Sequence, residues 1–480
     1  MDYEMVAGIE IHVELSTESK VFCSCPTKFA APPNTQCCPV CTGQPGALPV
    51  LNAKAVDWCI LAGLATGCAI AEYSAMARKN YFYPDLPKAY QISQHESPIC
   101  TGGSVELPGG RRIRIERIHL EEDAGKLIRG GDRLYIDYNR AGVPLIEIVS
   151  MPDIRSAVEA AQYVSLIQTT MRSIGISDVR MQEGSLRCDV NISVRPEGSR
   201  ELGVRTEIKN MNSITMMQRA IDFEFSRQCA VIGAGGKVLQ QTLRYDARSG
   251  RTEPMRGKEN SEDYRYFPEP DILPFYIDRE HVEALRAGLP EGVEARKRRY
   301  ETDFGLTSDE AGLIVRYPRV ARYFEDAAAG LKHPRAAAGF IIGPMYRKYP
   351  LQREREDFSP SVEAGRLNML CRLTEEGKIP GYAAKQIFER MLEGEQVDLS
   401  AVAQRDGEGL AAQDVERLCR EAIEASPAAV KDYRRGKLRA AGAIVGAAMR
   451  QSRGRADPQL VRETVLRLLE DGAGRDIKQI

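Results

Sequence analysis

Gly8-Ile9-Glu10-Ile11-His12-Val13-Glu14-Leu15 alternates strictly between apolar and polar residues. Successive side chains on a strand point to opposite faces, so this period of two predicts a half-buried β-strand. Ile9, Ile11, Val13 and Leu15 would face a core, and Glu10, His12 and Glu14 would stand in a row on the other side. Two carboxylates and an imidazole in a row have two explanations. They form the solvated outer face of a sheet, the common case for charged strand faces, or one wall of a metal or acid–base site. What the rest of the chain sets beside them decides between the two.

At 480 residues the chain is long enough for about two to four domains. Hydrophobic residues make up 43% and charged residues 28%, the proportions of a soluble globular protein. The formal net charge is -1, so nothing global announces a nucleic acid or a membrane, and any basic surface must be local. No apolar run approaches the roughly 20 residues that span a bilayer. The start, Met1-Asp2-Tyr3-Glu4, is acidic and is not followed by the apolar stretch of a secretory leader. The expectation is a cytoplasmic protein whose 12 cysteines are reduced.

Four of those cysteines fall in two close pairs, Cys23-Ser24-Cys25 and Cys38-Pro39-Val40-Cys41. Paired thiolates on tight turns, repeated across a short loop, suit a tetrahedral structural zinc. Cys37 adjoins Cys38, so one ligand is ambiguous. Four thiolates leave no open position, which makes such a site a staple and not a catalyst. The alternative is a set of reduced, metal-free cysteines.

Further polar-faced strands follow. Arg111–Ile118 alternates with a break at Arg117, then runs into His119-Leu120-Glu121-Glu122-Asp123-Ala124-Gly125-Lys126. Three consecutive acids at a strand end form a solvated turn when alone. Beside Glu10 and His12 they would form a carboxylate basin, and Mg²⁺ is held by one or two carboxylates together with substrate phosphates. Leu134–Tyr138 and Val143–Val149 are predicted strands, and Ala157–Ile174 a helix. Glu183–Val194 puts Arg187, Asp189, Asn191 and Ser193 on one face, and Arg205–Asn210 does the same for Arg205, Glu207 and Lys209. Each face alone is ordinary; several in one sheet-rich region suggest a charged concave site. Arg78–Gln91 carries two prolines, four aromatics and three cations. It is a cleft-lining or base-stacking loop, or one anchored to the core. Gly233-Ala234-Gly235-Gly236-Lys237 lacks the spacing of a phosphate loop and precedes strand-like alternation, so it reads as a hairpin turn. Beyond about Leu289 helical periodicity takes over. From Ala428 onward 12 Lys and Arg face 6 Asp and Glu, either the footprint of a phosphate backbone or a solvated helical face.

Together these segments resemble the GatB family, the B subunits of the glutamyl-tRNA(Gln)/aspartyl-tRNA(Asn) amidotransferases. The resemblance is carried by Gly8–Leu15, Cys38–Cys41 through Pro45-Gly-Ala-Leu-Pro49, Arg78–Asp85, Lys88–Ile92, His119–Lys126, Glu183–Asp189, Asp263-Tyr-Arg-Tyr-Phe-Pro-Glu-Pro270 and Gly454-Arg-Ala-Asp-Pro458. It runs over essentially the whole chain. It implies an α+β protein: an N-terminal mixed-sheet, cradle-like catalytic domain over residues 1–292 with the Cys-rich loop 23–41, an all-α helical domain over 293–406, and a small helical YqeY-like, tRNA-binding tail over 407–480. It also implies a ligase working in a heterotrimer. The A subunit, a glutaminase, releases ammonia; the small C subunit braces the other two. Misacylated tRNA binds to the B subunit, which phosphorylates the side-chain carboxylate of the attached Glu or Asp with ATP and lets ammonia displace the phosphate.

Carried onto this chain, the resemblance implies catalytic roles for Glu10, His12, Glu121, Glu122 and Asp189, with Lys79. Asp123, Glu207 and Lys209 are the nearby cofactor-binding candidates. Glu10, His12 and Glu122 are the expected Mg²⁺ ligands, and Cys23, Cys25, Cys38 and Cys41 the expected zinc ligands. The residue types suit the chemistry, because bringing a carboxylate to a γ-phosphate sets anion against anion. Carboxylate-held Mg²⁺ and nearby cations relieve that repulsion. Two other functions stand beside this one. A non-catalytic tRNA-binding adaptor would use the same carboxylates only to hold an ion. A self-sufficient glutamine amidase is disfavoured, since Gly102-Gly103-Ser104-Val105 is too short for the Gly/Ser-rich segment around its nucleophile.

Overall fold

The computed structural model describes residues 2–209, 211–255, 264–406, 412–452, 456 and 458–476. The chain forms two compact units, Met1–Val293 and Glu294–Ile480. Asn210, Asp263, Gly454, Arg455 and Asp457, named above, lie outside the described residues, as does the proposed division of the second unit at 407.

The first unit is built on the opening strand, Tyr3–Glu14, which pairs antiparallel with Leu186–Pro196 on one side and Pro144–Ser150 on the other. It is therefore central in a ten-stranded sheet. From Pro144–Ser150 the sheet continues to Arg112–Glu122, which also pairs Ser104–Glu106, and then to Cys100–Thr101 and Ala69–Ile70. In the other direction Leu186–Pro196 is followed by Thr206–Lys209, Thr242–Asp246 and Arg251–Pro254. The Thr206–Lys209 and Thr242–Asp246 strands are parallel, which makes the sheet mixed. Parallel neighbours need a long crossover, and here it is the helix Ile214–Gly233.

One face of the sheet carries the core. Ile9, Ile11, Val13 and Leu15 are all buried and pack in one cluster with Ile60, Tyr163, Ile167 and Ile221. Those partners come from the helices Ala53–Ala65, Ala157–Ser173 and Ile214–Gly233. Burying a side chain of this size contributes roughly 1.5–3 kcal/mol. Each helix starts at a side-chain cap: Asn52, Ser156 and Ser213 accept from the amides of Lys54, Glu159 and Met216.

Two sequence expectations change here. Gly233–Lys237 is not a hairpin turn but the end of the crossover helix, with Gly235 at φ +75° and the Gly236 amide donating to the Val231 carbonyl. The helix before it escapes a search for alternation. The Arg78–Gln91 segment is also more ordered than a loop. Ala77–Asn80 and Tyr90–Ser93 pair with each other, and Phe267–Pro268 adds a third strand. Arg78 fastens this small sheet, donating to Glu269 at 2.7 Å and Asp271 at 2.9 Å, with Tyr90 against its guanidinium. A separate hairpin pairs Lys126–Gly130 with Arg133–Asp137.

The second unit is helical among its described residues. Val293–Asp303, Ser308–Val315, Pro318–Ala328 and Ala364–Glu375 fall where helical periodicity predicts them. Ala412–Glu424, Ala441–Gln451 and Pro458–Asp476 share a core that includes Val415, Ile444 and Val465. No helix among the described residues is long and apolar enough to cross a membrane.

Candidate active site

The face of the sheet opposite the helices is charged, and register decides which side chains meet on it. Arg187, His12, Glu147 and His119 lie directly opposite one another across four adjacent strands. Asp189 lies opposite Glu10 in the next row. His119 and Glu121 reach this face only because the pairing slips between Val149 and Ser150, where the partners change from Arg117 to Ile115. Ile113 and Ile115 are buried before the slip and Ile118 and Leu120 after it. The break in alternation at Arg117 is thus a β-bulge, which re-aims the side chains beyond it.

Two groups of ligand atoms result. His12, Glu121 and Glu147 form one, and Glu10, Asp189 and Glu207 the other, with all ligand atoms of each group within 4.8 Å. His12 Nε2 is 3.6 Å from Glu121 and 3.8 Å from Glu147, and His119 Nε2 is 3.2 Å from Glu147. Burial works against charge here, but Glu147 and Glu121 override it and raise His119 to about 9. The same pairing, with His12, holds Glu147 well below the carboxylate range despite its burial. Glu10 is pushed up by burial and by Glu147, Glu207 and Asp189. Asn191 Nδ2 donates to Glu10 at 2.9 Å, while the buried Asn191 Oδ1 has no partner among the described residues. Converging oxygen donors, beside a buried side-chain carbonyl oxygen that no described residue satisfies, fit a hard cation such as Mg²⁺.

His12 and Glu121 of the first group and Asp189 of the second line one cleft of about 1050 Å³, with Lys79 and Lys209 among its other residues. Burial alone would lower Lys79; Tyr266, Glu121 and Glu147 reverse this and keep it charged. The Tyr264 ring stands 4.8 Å from its ammonium. Lys209 donates to Asp189 at 2.7 Å and pairs with Glu207 at 3.3 Å, and it too stays charged against burial.

Three further acids lie outside the two groups, Asp123 and Glu14 still on the wall of the cleft and Glu122 away from it. Glu122 is not grouped with Glu10 and His12. Strand alternation turns it away from Glu121, and it accepts from Lys88 and from the Ile92 amide at 2.9 Å. Its cavity, about 270 Å³, is a different one, lined also by Phe22 and Cys41. Asp123 is buried, and Arg187 and Arg140 overcome that burial to hold it near 2. Glu14 is pushed up by burial and by Asp123.

Cys23, Cys25, Cys38 and Cys41 bring their sulfurs within 4.8 Å of one another. The Cys38 and Cys41 sulfurs are 4.0 Å apart, close to the roughly 3.8 Å edge of a tetrahedron with 2.3 Å Zn–S bonds. Cys37 is outside the group, its thiol donating to the Asn34 carbonyl at 3.3 Å. The Cys41 thiol is lowered by hydrogen bonding from Cys23 and the Cys38 amide and by the buried Lys20 ammonium, 3.5 Å away. Four sulfurs converging at this spacing fit zinc.

Residues 5–283 match the GatB/GatE catalytic domain, and residues 322–469 match the GatB domain. The chain belongs to the GatB family. It is 47% identical over 481 residues to the aspartyl/glutamyl-tRNA(Asn/Gln) amidotransferase B subunit of Chlorobium limicola, covering 98% of this chain and 100% of that protein. The corresponding B subunit of Caldanaerobacter subterraneus subsp. tengcongensis is 45% identical over 472 residues, covering 96% and 98%. That of Prosthecochloris aestuarii is 45% identical over 488 residues, covering 99% and 100%.

In this GatB-family chain, sequence reasoning missed Glu147, His119 and Arg187 as site residues. Glu147 had a signal, being the one acid in the apolar run Val143–Val149. His119 had none before the bulge was known.

Proposed function

We propose that this chain is the catalytic subunit of a tRNA-dependent amidotransferase, which amidates the side-chain carboxylate of Glu or Asp carried on a misacylated Glu-tRNA(Gln) or Asp-tRNA(Asn). The substrate carboxylate oxygen attacks the γ-phosphorus of ATP and ADP leaves. Ammonia, supplied by a glutaminase subunit in a complex with a small third subunit, then attacks the acyl carbon, and the carbon–oxygen bond to phosphate breaks. The observation that carries this reading is the cleft lined by His12 and Glu121 of one ligand group and Asp189 of the other, together with Lys79 and Lys209.

Mg²⁺, held by those two groups, would supply the neutralisation that lets two anions approach. Lys79 and Lys209, charged and held by carboxylates and an aromatic ring, offset negative charge building on the transferred phosphoryl group. His119 and Glu147 fix the orientation of His12 and Glu121. Zinc at Cys23, Cys25, Cys38 and Cys41 would tie the loop to the sheet without taking part in chemistry.

The test uses the complete complex with its partner subunits, misacylated tRNA, ATP and free ammonia in place of glutamine. Glu10→Gln should lower the amidation rate by roughly 100-fold or more, as for loss of a group that stabilises the transition state. Amidation at the wild-type rate would support instead a non-catalytic adaptor that only binds tRNA.

A further inference from the structure

The Lys126–Asp137 hairpin has no part in the core, in the large sheet or in the two ligand groups, yet it stands at the mouth of the cleft. Its root is held firmly. The Gly125 amide donates to the Asp85 carbonyl, Arg140 donates to the carbonyls of Ala124 and Gly125, and Asp137 accepts from the Asn34 amide. Beyond the root it is exposed.

Register sorts its side chains. Lys126, Ile128 and Gly130 share a face with Asp137, Tyr135 and Arg133, their direct cross-strand partners. Lys126, Ile128 and Asp137 line the cleft that holds His12, Glu121 and Asp189. Tyr135 stands opposite Ile128 and is 51% exposed. A Cβ built on Gly130 would lie 3.0 Å from Tyr135 Cε2, so the ring lies against the bare glycine backbone with its outer side uncovered. Lys126, Arg129 and Arg133 are exposed and make no ion pair among the described residues.

An exposed, propped aromatic ring with unpaired cations beside it, opening onto a cleft, is the arrangement that binds single-stranded nucleic acid. Bases stack on the ring and phosphates meet the cations. We propose that this hairpin face is a stacking platform for the single-stranded 3′ end of the tRNA. Tyr135 stacks on one base, and Lys126 and Arg133 contact flanking phosphates. This rests on the tRNA-dependent reaction proposed above. The platform holds the strand just outside the cleft, so that the amino acid at its end reaches His12 and Glu121. Tyr135 is accordingly a positioning residue.

The experiment uses the assembled complex and compares misacylated tRNA, as substrate, with deacylated tRNA, intact or trimmed of its 3′ overhang, in direct binding. Tyr135→Ala should raise the KM for misacylated tRNA by roughly tenfold, the scale of one lost base stack, with kcat at saturating tRNA unchanged. It should weaken binding of intact tRNA and leave trimmed tRNA unaffected, and Tyr135→Phe should restore both. Arg133→Ala should weaken intact tRNA and make its binding less salt-dependent by about one ion. Unchanged KM, or equal loss with trimmed tRNA, would overturn the proposal. So would loss of a partner subunit on purification, which would make this face a protein interface. If the wild-type complex does not amidate misacylated tRNA at all, the reaction reading fails instead.

Discussion

At the scale of single residues, the site is set by which groups share charge. Glu147 is the hub: it faces both His12 and His119 and is held ionised by them. Glu147→Gln would leave both imidazoles short of a counter-charge without changing the shape of the site. Amidation with free ammonia should fall about 10- to 100-fold, the usual cost of losing a group that orients ligands. A Mg²⁺ titration should show half-saturation moving upward. An unchanged titration curve would remove Glu147 from the site. A second buried acid has a purely structural role. Glu224 is fully buried and accepts from Arg227, Gln228 and Thr252. Burial would raise its carboxyl, but Arg227 and Gln228 outweigh burial and hold it below its ordinary value of 4.5. A depressed folded-state pKa gives stability that is full above the unfolded value and is lost as pH falls through the folded one. Urea unfolding should therefore show the wild type losing its advantage over Glu224→Gln below about pH 4.5. An advantage that stays constant down to pH 3 would contradict this account.

At the scale of elements, the Cys-rich loop and the sheet differ in how far sequence alone could go. Spacing placed four cysteines together but could not choose between Cys37 and Cys38; the hydrogen bond from Cys37 to Asn34 and the sulfur grouping make the choice. Cys38→Ser should lower zinc content per chain and the melting temperature, whereas Cys37→Ser should leave both unchanged. Metal analysis and thermal unfolding of the two variants check this, and zinc loss in Cys37→Ser alone would reverse the assignment. The opening strand and the polar faces at Asp189 and Glu207 follow directly from alternation, because period two is a local property. Glu122, carried onto the chain by the family resemblance, falls outside both groups because adjacent strand residues point apart and Glu121 takes the charged face. His119 and Glu121 depend on a bulge, and Glu147 on a partner strand more than a hundred residues from His12. Neither is a local property. The crossover helix Ile214–Gly233 went unseen because its buried face includes Glu224 and Gln228, which dilute the apolar period.

At the scale of the whole molecule, the central sheet divides its labour by face. Isoleucines and valines hold three helices on one side, and the opposite side is free to gather acids that a protein would otherwise keep apart. The helical second unit, with its own core around Val415, Ile444 and Val465, is a separate compact body. In the proposed reaction the charged face activates a carboxylate by phosphorylation. Misacylated tRNA bearing an ¹⁸O-labelled side-chain carboxylate, incubated with the complex, ATP and ammonia, tests this most directly. Carboxylate oxygen must leave with the phosphate if it attacked the γ-phosphorus, so the inorganic phosphate released should carry one ¹⁸O for each amide formed. Unlabelled phosphate released alongside amide would contradict the account.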